Sequence, residues 1–134
     1  MSANPPRLGK VQLQIMQVLW DQGHATARQI TEELERRGAP LAHSTVQTLL
    51  RKMEAKGAVT HDASERTWVF RAACPRAEVS RSVASDLLER VFHGSVYGLV
   101  SHLLRDTNVP DDEMRRLRAL LDEKAAQTKT DEED

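Results

Sequence analysis

The hydrophobic periodicity of this chain changes once in its first 75 residues, at Gly57, and that change limits the folds open to it. Before Gly57 the apolar residues recur at helical spacing in three short runs. In LGKVQLQIMQVLWDQG, Leu8, Val11, Ile15, Val18 and Leu19 recur on one face and Gly23 ends the run. In ATARQITEELERRG, Thr26 and Gln29 have the spacing of a capping box, Ala27, Ile30 and Leu34 form the stripe, and Gly38 closes it. In HSTVQTLLRKMEAKG, Val46, Leu49, Leu50 and Met53 fall on one side at about 100° per residue. Ser44 with Gln47 fits a second capping box, which predicts a helix start near Thr45, and Gly57 is a natural stop. After Gly57 the pattern is extended. Ala58, Val59 and Thr60 start a run, Asp62 to Glu65 supply turn chemistry, and Thr67, Trp68, Val69 and Phe70 favour a strand. A two-stranded hairpin follows, its tip at Ala63–Arg66.

Three helices and then a hairpin predict a winged helix-turn-helix. In that fold the second helix of the turn pair enters the DNA major groove, and the hairpin lies near the phosphate backbone. The outward side of the third helix fits such a role. Ser44, Thr48, Arg51 and Ala55 lie opposite the apolar stripe, Gln47 and Lys52 flank them, and Glu54 sits at the apolar edge. A face that meets phosphates has no carboxylate at its centre. Arg can pair with guanine and Gln with adenine, and hydroxyls can reach bases or phosphates.

Charge is segregated along the chain. Residues 1–75 carry 10 Lys and Arg against 7 Asp and Glu, a balance of +3, and residues 76–134 carry 9 against 13, a balance of −4. This permits DNA binding by the first half, although the whole chain has a net charge of only −1. Aromatic residues make up 4%, so the core rests on Leu, Val, Ile, Ala and Met. Trp20 and Trp68 are expected as core anchors, since aromatics mainly supply buried area. The single cysteine, Cys74, excludes an internal disulfide and a cysteine metal cluster, and is expected to be partly buried near a domain junction. MSANPP reads as a frayed end without a hydrophobic signal core. No apolar run approaches the roughly 18 residues needed to span a membrane. These features lead to a cytoplasmic expectation.

The remainder is predicted to be helical. RAEVSRSVASDLLERVFHG carries Val79, Val83, Leu87, Leu88 and Val91, and SVYGLVSHLLRD carries Val96, Leu99, Val100, Leu103 and Leu104. Pro110 opens DDEMRRLRALLDEKAA as its first helical residue, with Asp111, Asp112 and Glu113 complementing the dipole and Met114, Leu117, Leu120 and Leu121 as the stripe. The tail QTKTDEED is poor in apolar residues and is predicted to be disordered. The fold class is mainly α with a small β-hairpin. A winged-helix DNA-binding domain over 7–74 is followed by a helical dimerisation domain over 75–124 and an acidic tail over 125–134. The C-terminal helices are too short to be stable alone. A symmetric dimer would satisfy them and would match a reader of two half-sites.

Several segments resemble the penicillinase repressors, the BlaI/MecI/CopY family, over roughly residues 7–124. LGKVQLQIMQVLW is similar to the family opening at Leu8, Gly9, Met16, Val18, Leu19 and Trp20. STVQTLLRKMEAKG resembles its recognition helix at Ser44, Thr45, Val46, Thr48, Leu49, Leu50, Lys56 and Gly57, and FHGSVYGLVSHLL resembles its dimerisation helices at Phe92, Gly94, Ser95, Leu99 and Val100. RLRALLDEK is similar to the family's C-terminal ending. The resemblance implies a homodimeric repressor that binds double-stranded operator DNA of dyad symmetry and controls antibiotic-resistance or stress-response genes. It implies operator contact by Ser44, Thr45, Gln47, Thr48 and Arg51, with Lys52 and Arg66 toward phosphates. It implies dimerisation through Leu87, Val91, Phe92, Val96, Leu99, Val100, Leu103, Leu117 and Leu121. It also implies release by a membrane sensor-protease that cuts near His102–Leu103, although the Asn-Phe pair associated with that cleavage is absent. The paired C-terminal cysteines of copper-responsive members are absent too, which excludes copper sensing by that route.

Two rival classes are weaker. No Gly-rich phosphate loop, HExxH or nucleophile elbow marks an enzyme, so no catalytic residue and no cofactor is assigned. His24, His43, His61, His93 and His102 show no shared-site spacing, and the separation of His93 and His102 is not a recognised ligand motif, so no metal is expected. The alternative is a winged-helix module for protein contact without DNA binding, against which the acid-poor face of the third helix argues.

Overall fold

The structure is a computed structural model that describes residues 5–133. Its elements are α1 (Lys10–Gln22), β1 (Ala25–Thr26), α2 (Ala27–Arg36), α3 (His43–Ala55), β2 (Val59–Asp62), β3 (Val69–Ala72), α4 (Arg76–Phe92), α5 (Val96–Asp106) and α6 (Asp111–Glu133). The contacts divide the chain into two compact units, one ending at Asp86 and the other beginning at Leu87. The frayed end expected at the N-terminus falls, for residues 1–4, outside the described residues.

The first unit is a winged helix-turn-helix. Ile15, Met16, Val18 and Leu19 of α1, Ile30 and Leu34 of α2, and Val46, Leu50 and Met53 of α3 are all buried in one core. These are stripe positions of the sequence, with Met16 added and Leu8 and Leu49 only partly buried at the margin. Gly23 ends α1 at φ 84°, and its N–H donates to the Leu19 carbonyl at 2.8 Å. Glycine adopts that left-handed conformation without a Cβ clash. Thr26 caps α2 as predicted. The Gln29 N–H donates to Thr26 Oγ1 at 3.1 Å, and the Thr26 N–H donates to Gln29 Oε1 at 2.9 Å.

The hairpin pairs β2 with β3 antiparallel, Val59 facing Ala72 and His61 facing Phe70. A third strand, β1, adds to the other edge of β3, with Ala25 opposite Phe70. It is two residues long and has no periodicity of its own, so the sequence carries no sign of it. Val59 and Phe70 point into the core. Trp20 is half-buried and anchors the junction, its indole N–H donating to the Cys74 carbonyl at 2.8 Å. Cys74 is buried, and that burial pushes its thiol up from the ordinary range, with Glu78 adding to the effect.

Four features differ from the sequence reading. Trp68 is not a core anchor but is 47% exposed on the hairpin: it shares the face of Phe70, two residues on, but lies one step nearer the hairpin tip, before β3 begins, where the core no longer covers it. The helix α3 starts at His43 with Ala42 as its N-cap and no side-chain cap, so the Ser44–Gln47 box is not formed. The division between units lies inside α4 rather than at 74/75. The start of α4 belongs to the head because Val79 is buried in its core and Arg76 pairs with Asp21 at 2.6 Å. Finally, α6 begins after Pro110 and runs through 125–133, where disorder was expected. Scarcity of apolar residues rules out a core but not a solvated helix of Ala, Glu, Lys and Gln. Thr128 and Thr130 accommodate themselves by donating to the Lys124 and Ala126 carbonyls.

The second unit holds the rest of α4, with α5 and α6. Ser95 caps α5 by accepting the Gly98 N–H at 2.9 Å. No residue of α5 is buried.

Candidate nucleic-acid interface

Burial of Val46, Leu50 and Met53 fixes which side of α3 faces out. Ser44, Thr45, Gln47, Thr48, Arg51 and Lys52 are all exposed. The Thr48 hydroxyl donates to the Ser44 carbonyl at 3.0 Å, which leaves its oxygen free to accept. Gln47 is not used in a cap, so both ends of its amide are available. Glu54, the first acid of α3, is turned toward β2, where its carboxylate binds His61 Nδ1. The acid therefore helps seat the hairpin and leaves the outward face without a carboxylate.

The start of α3 is tied to α2. The Thr31 hydroxyl donates to the Ala27 carbonyl at 2.8 Å, and the same oxygen lies 3.3 Å from His43 Nδ1. With its one proton committed to Ala27, Thr31 accepts from His43, so Nδ1 carries the imidazole proton.

A groove of about 450 Å³ opens between α2, α3 and the hairpin. It is lined by Ala27, Arg28, His43, Gln47, Arg51, Arg66, Thr67, Trp68 and Phe70. Three guanidiniums and no carboxylate face it. Among the described residues none of the three is ion-paired, whereas elsewhere in the head Arg36 pairs with Glu33, Arg37 with Glu33 and Asp21, and Arg76 with Asp21. Unpaired guanidiniums around a concavity form a ready seat for an anion.

The groove brings together Gln47, Arg51 and Arg66 of the expected contact residues. Ser44, Thr45, Thr48 and Lys52 stand on the same exposed helix outside it. Of the other six lining residues, Arg28 and Trp68 carry the side chains that matter most for an anionic partner. Arg28 follows Ala27 at the start of α2, and a lone arginine in a charged helix gives no signal. Trp68 was read as core because aromatics mainly supply buried area, and a one-dimensional pattern does not show that the core ends short of the hairpin tip.

In the second unit Leu87, Val91, Val96, Val100, Leu103 and Leu121 are exposed, and Phe92, Leu99 and Leu117 are half-buried. Tyr97 (78%), Leu104 and Leu120 are also exposed. The His102–Leu103 bond lies inside α5, where His102 Nδ1 is 3.3 Å from Asp106. Among the described residues no group of three His, Cys, Asp or Glu is placed to hold a metal ion, and no helix is long and apolar enough to cross a membrane.

Comparison with known proteins agrees with this architecture. The family model for the penicillinase repressor matches residues 8–123. The chain is 22% identical over 118 residues to the penicillinase repressor of Bacillus licheniformis, covering 88% of this chain and 91% of that one. It is 19% identical over 117 residues to the methicillin resistance regulatory protein MecI of Staphylococcus aureus strain N315, covering 87% and 94%. Among solved structures, RosR of H. salinarum superposes with a TM-score of 0.50 at 20% identity, over 90% of this chain and 96% of that one, a likeness of fold. With the match running through both the winged head and the C-terminal helices, this chain is a member of the penicillinase repressor family, whose members are transcriptional repressors and not enzymes.

Proposed function

We propose that this protein is a homodimeric repressor that binds a dyad operator through α3 and its hairpin and blocks transcription by occupying the promoter. The observation that carries the reading is the acid-free face of α3 running into a groove with three unpaired guanidiniums. Ser44, Thr45, Gln47, Thr48 and Arg51 meet base edges and nearby phosphates, and Lys52 and Arg66 meet the backbone. The exposed apolar residues of α4, α5 and α6, among them Val96 at 60% and Leu121 at 68%, become the dimer contact. Two heads on one dimer make the second half-site contact intramolecular, which raises affinity without new contacts.

The working compartment is the cytoplasm, where operator DNA is met. Release by a membrane sensor-protease at His102–Leu103 rests on family grounds alone, since the Asn-Phe pair associated with that cleavage is absent. Because that bond is helical, cutting it requires local opening of α5.

The test is selection of genomic fragments by the purified protein, followed by binding of the enriched duplex at several salt concentrations. The expected result is a dyad motif with half-sites about one helical turn apart. Its affinity should fall with salt by about 0.9 in log–log slope for each neutralised phosphate. No enrichment at low salt would leave protein contact as the role of the head.

A further inference from the structure

Trp68 is the bulkiest apolar side chain that the head leaves in water, at 47% exposure among the described residues. It is nevertheless held in place. The His61 imidazole lies flat against it, with ring centroids 3.8 Å apart and planes 6° from parallel. Phe70 packs at a tilt against both rings, at 5.9 Å from His61 and 6.4 Å from Trp68. His61 is itself gripped by the Glu54 carboxylate of α3. A chain of contacts thus runs from the recognition helix through β2 to the indole, which lines the groove beside Arg28, Arg51 and Arg66.

The chemistry of the lining suits one class of occupant. Guanidiniums without carboxylates select an anion. An indole held at their side offers a flat apolar face with a weakly negative π surface, which suits C–H groups and not a second anion. A sugar–phosphate strand presents both groups in alternation, with phosphate oxygens for the guanidiniums and the deoxyribose face for the ring. An acidic peptide has no such alternation.

We infer that Trp68 is a wing contact for the sugar–phosphate backbone of one DNA strand, with Arg28 beside it, and that His61 and Glu54 are its positioning residues. The inference rests on the operator-binding reading above and adds four residues to it. It also accounts for the acid of α3, since Glu54 fixes the ring through His61.

The test uses the full chain and the duplex enriched from genomic DNA. Tryptophan emission is followed during titration with the duplex, in the wild type and in Trp68→Phe. A saturable change in the wild type that disappears in Trp68→Phe is expected, since only Trp20 then remains. Trp68→Ala should weaken binding about fivefold for each head, within the range seen when an aromatic platform is removed, and so about 25-fold for a dimer on its dyad. Trp68→Phe should retain most of the affinity. Glu54→Gln should weaken binding a few-fold in the wild type and have no effect when combined with Trp68→Ala, because the two act through one contact. If Trp68→Ala fails to fold, as judged by circular dichroism, the emission titration still decides. A wild type that binds while emission stays unchanged at saturation, or a folded Trp68→Ala that binds like the wild type, overturns this inference alone. A wild type that binds no duplex overturns the operator reading and this one with it.

Discussion

At the scale of single residues, the outward side of α3 is defined by what its inward side buries. Val46, Leu50 and Met53 have no exposed surface, and this orients Arg51 outward next to Gln47 and Arg66 in the groove. If Arg51 reads a guanine, Arg51→Ala costs about 1–3 kcal/mol and relaxes base preference at one position. Binding isotherms on operator variants check this, and unchanged affinity with unchanged preference would refute the assignment. The side of each α3 residue was legible from spacing alone, because a 3.6-residue period leaves little choice once four apolar positions are known. The partners of those residues were not legible. Arg28 reaches the groove from α2, and Trp68 reaches it from the hairpin. Both depend on how elements are packed, which a one-dimensional pattern does not contain.

At the scale of elements, the junction of α1, α2 and α4 depends on Asp21. Its carboxylate binds Arg76 at 2.6 Å and Arg37 at 3.0 Å, and Arg76 also lies over the Trp20 ring, 5.5 Å from its centroid. The hydrogen bond from Arg76, followed by that from Arg37, holds the Asp21 carboxyl below its ordinary value. A depressed carboxyl stabilises the fold above its unfolded pKa of roughly 3.9, and that contribution is lost as pH falls through the folded value. Asp21→Asn should therefore lower the melting temperature at neutral pH, and the gap from the wild type should close in acid below about pH 4. A gap that stays constant with pH would show that packing, and not the charge, is at stake. Helices were the most legible elements, since each brings its own stripe and stop signal. The strand β1 was not legible because two residues have no period, and the helical 125–133 segment was missed because low hydrophobicity was taken as absence of structure.

At the scale of the whole molecule, the two units have opposite character. The head buries most of the apolar stripe residues of α1, α2 and α3, whereas the C-terminal unit leaves Leu87, Val91, Val96, Tyr97, Leu103, Leu120 and Leu121 in water. Single exposed apolar residues are ordinary, but this many in three helices calls for a covering surface. Leu103→Asp and Leu121→Asp are expected to shift the protein from dimer to monomer in sedimentation, and to leave the circular dichroism of the head intact. Single heads would then bind a half-site weakly and lose the gain of the dyad. A variant pair that still sediments as a dimer would move the contact elsewhere.

The uncapped start of α3 sets the stability of the protein against its purpose. Ala42 offers no side-chain acceptor to the first turn, and that turn holds no acid. An aspartate at such a position is ordinarily worth about 1 kcal/mol, enough to raise the melting temperature by several degrees in a domain of this size. Ala42→Asp should accordingly make a hardier protein and, on the operator-binding reading, a poorer repressor, because the new charge would then face phosphates. Screening variants for heat resistance would favour this substitution, and a parallel DNA-binding assay would reject it.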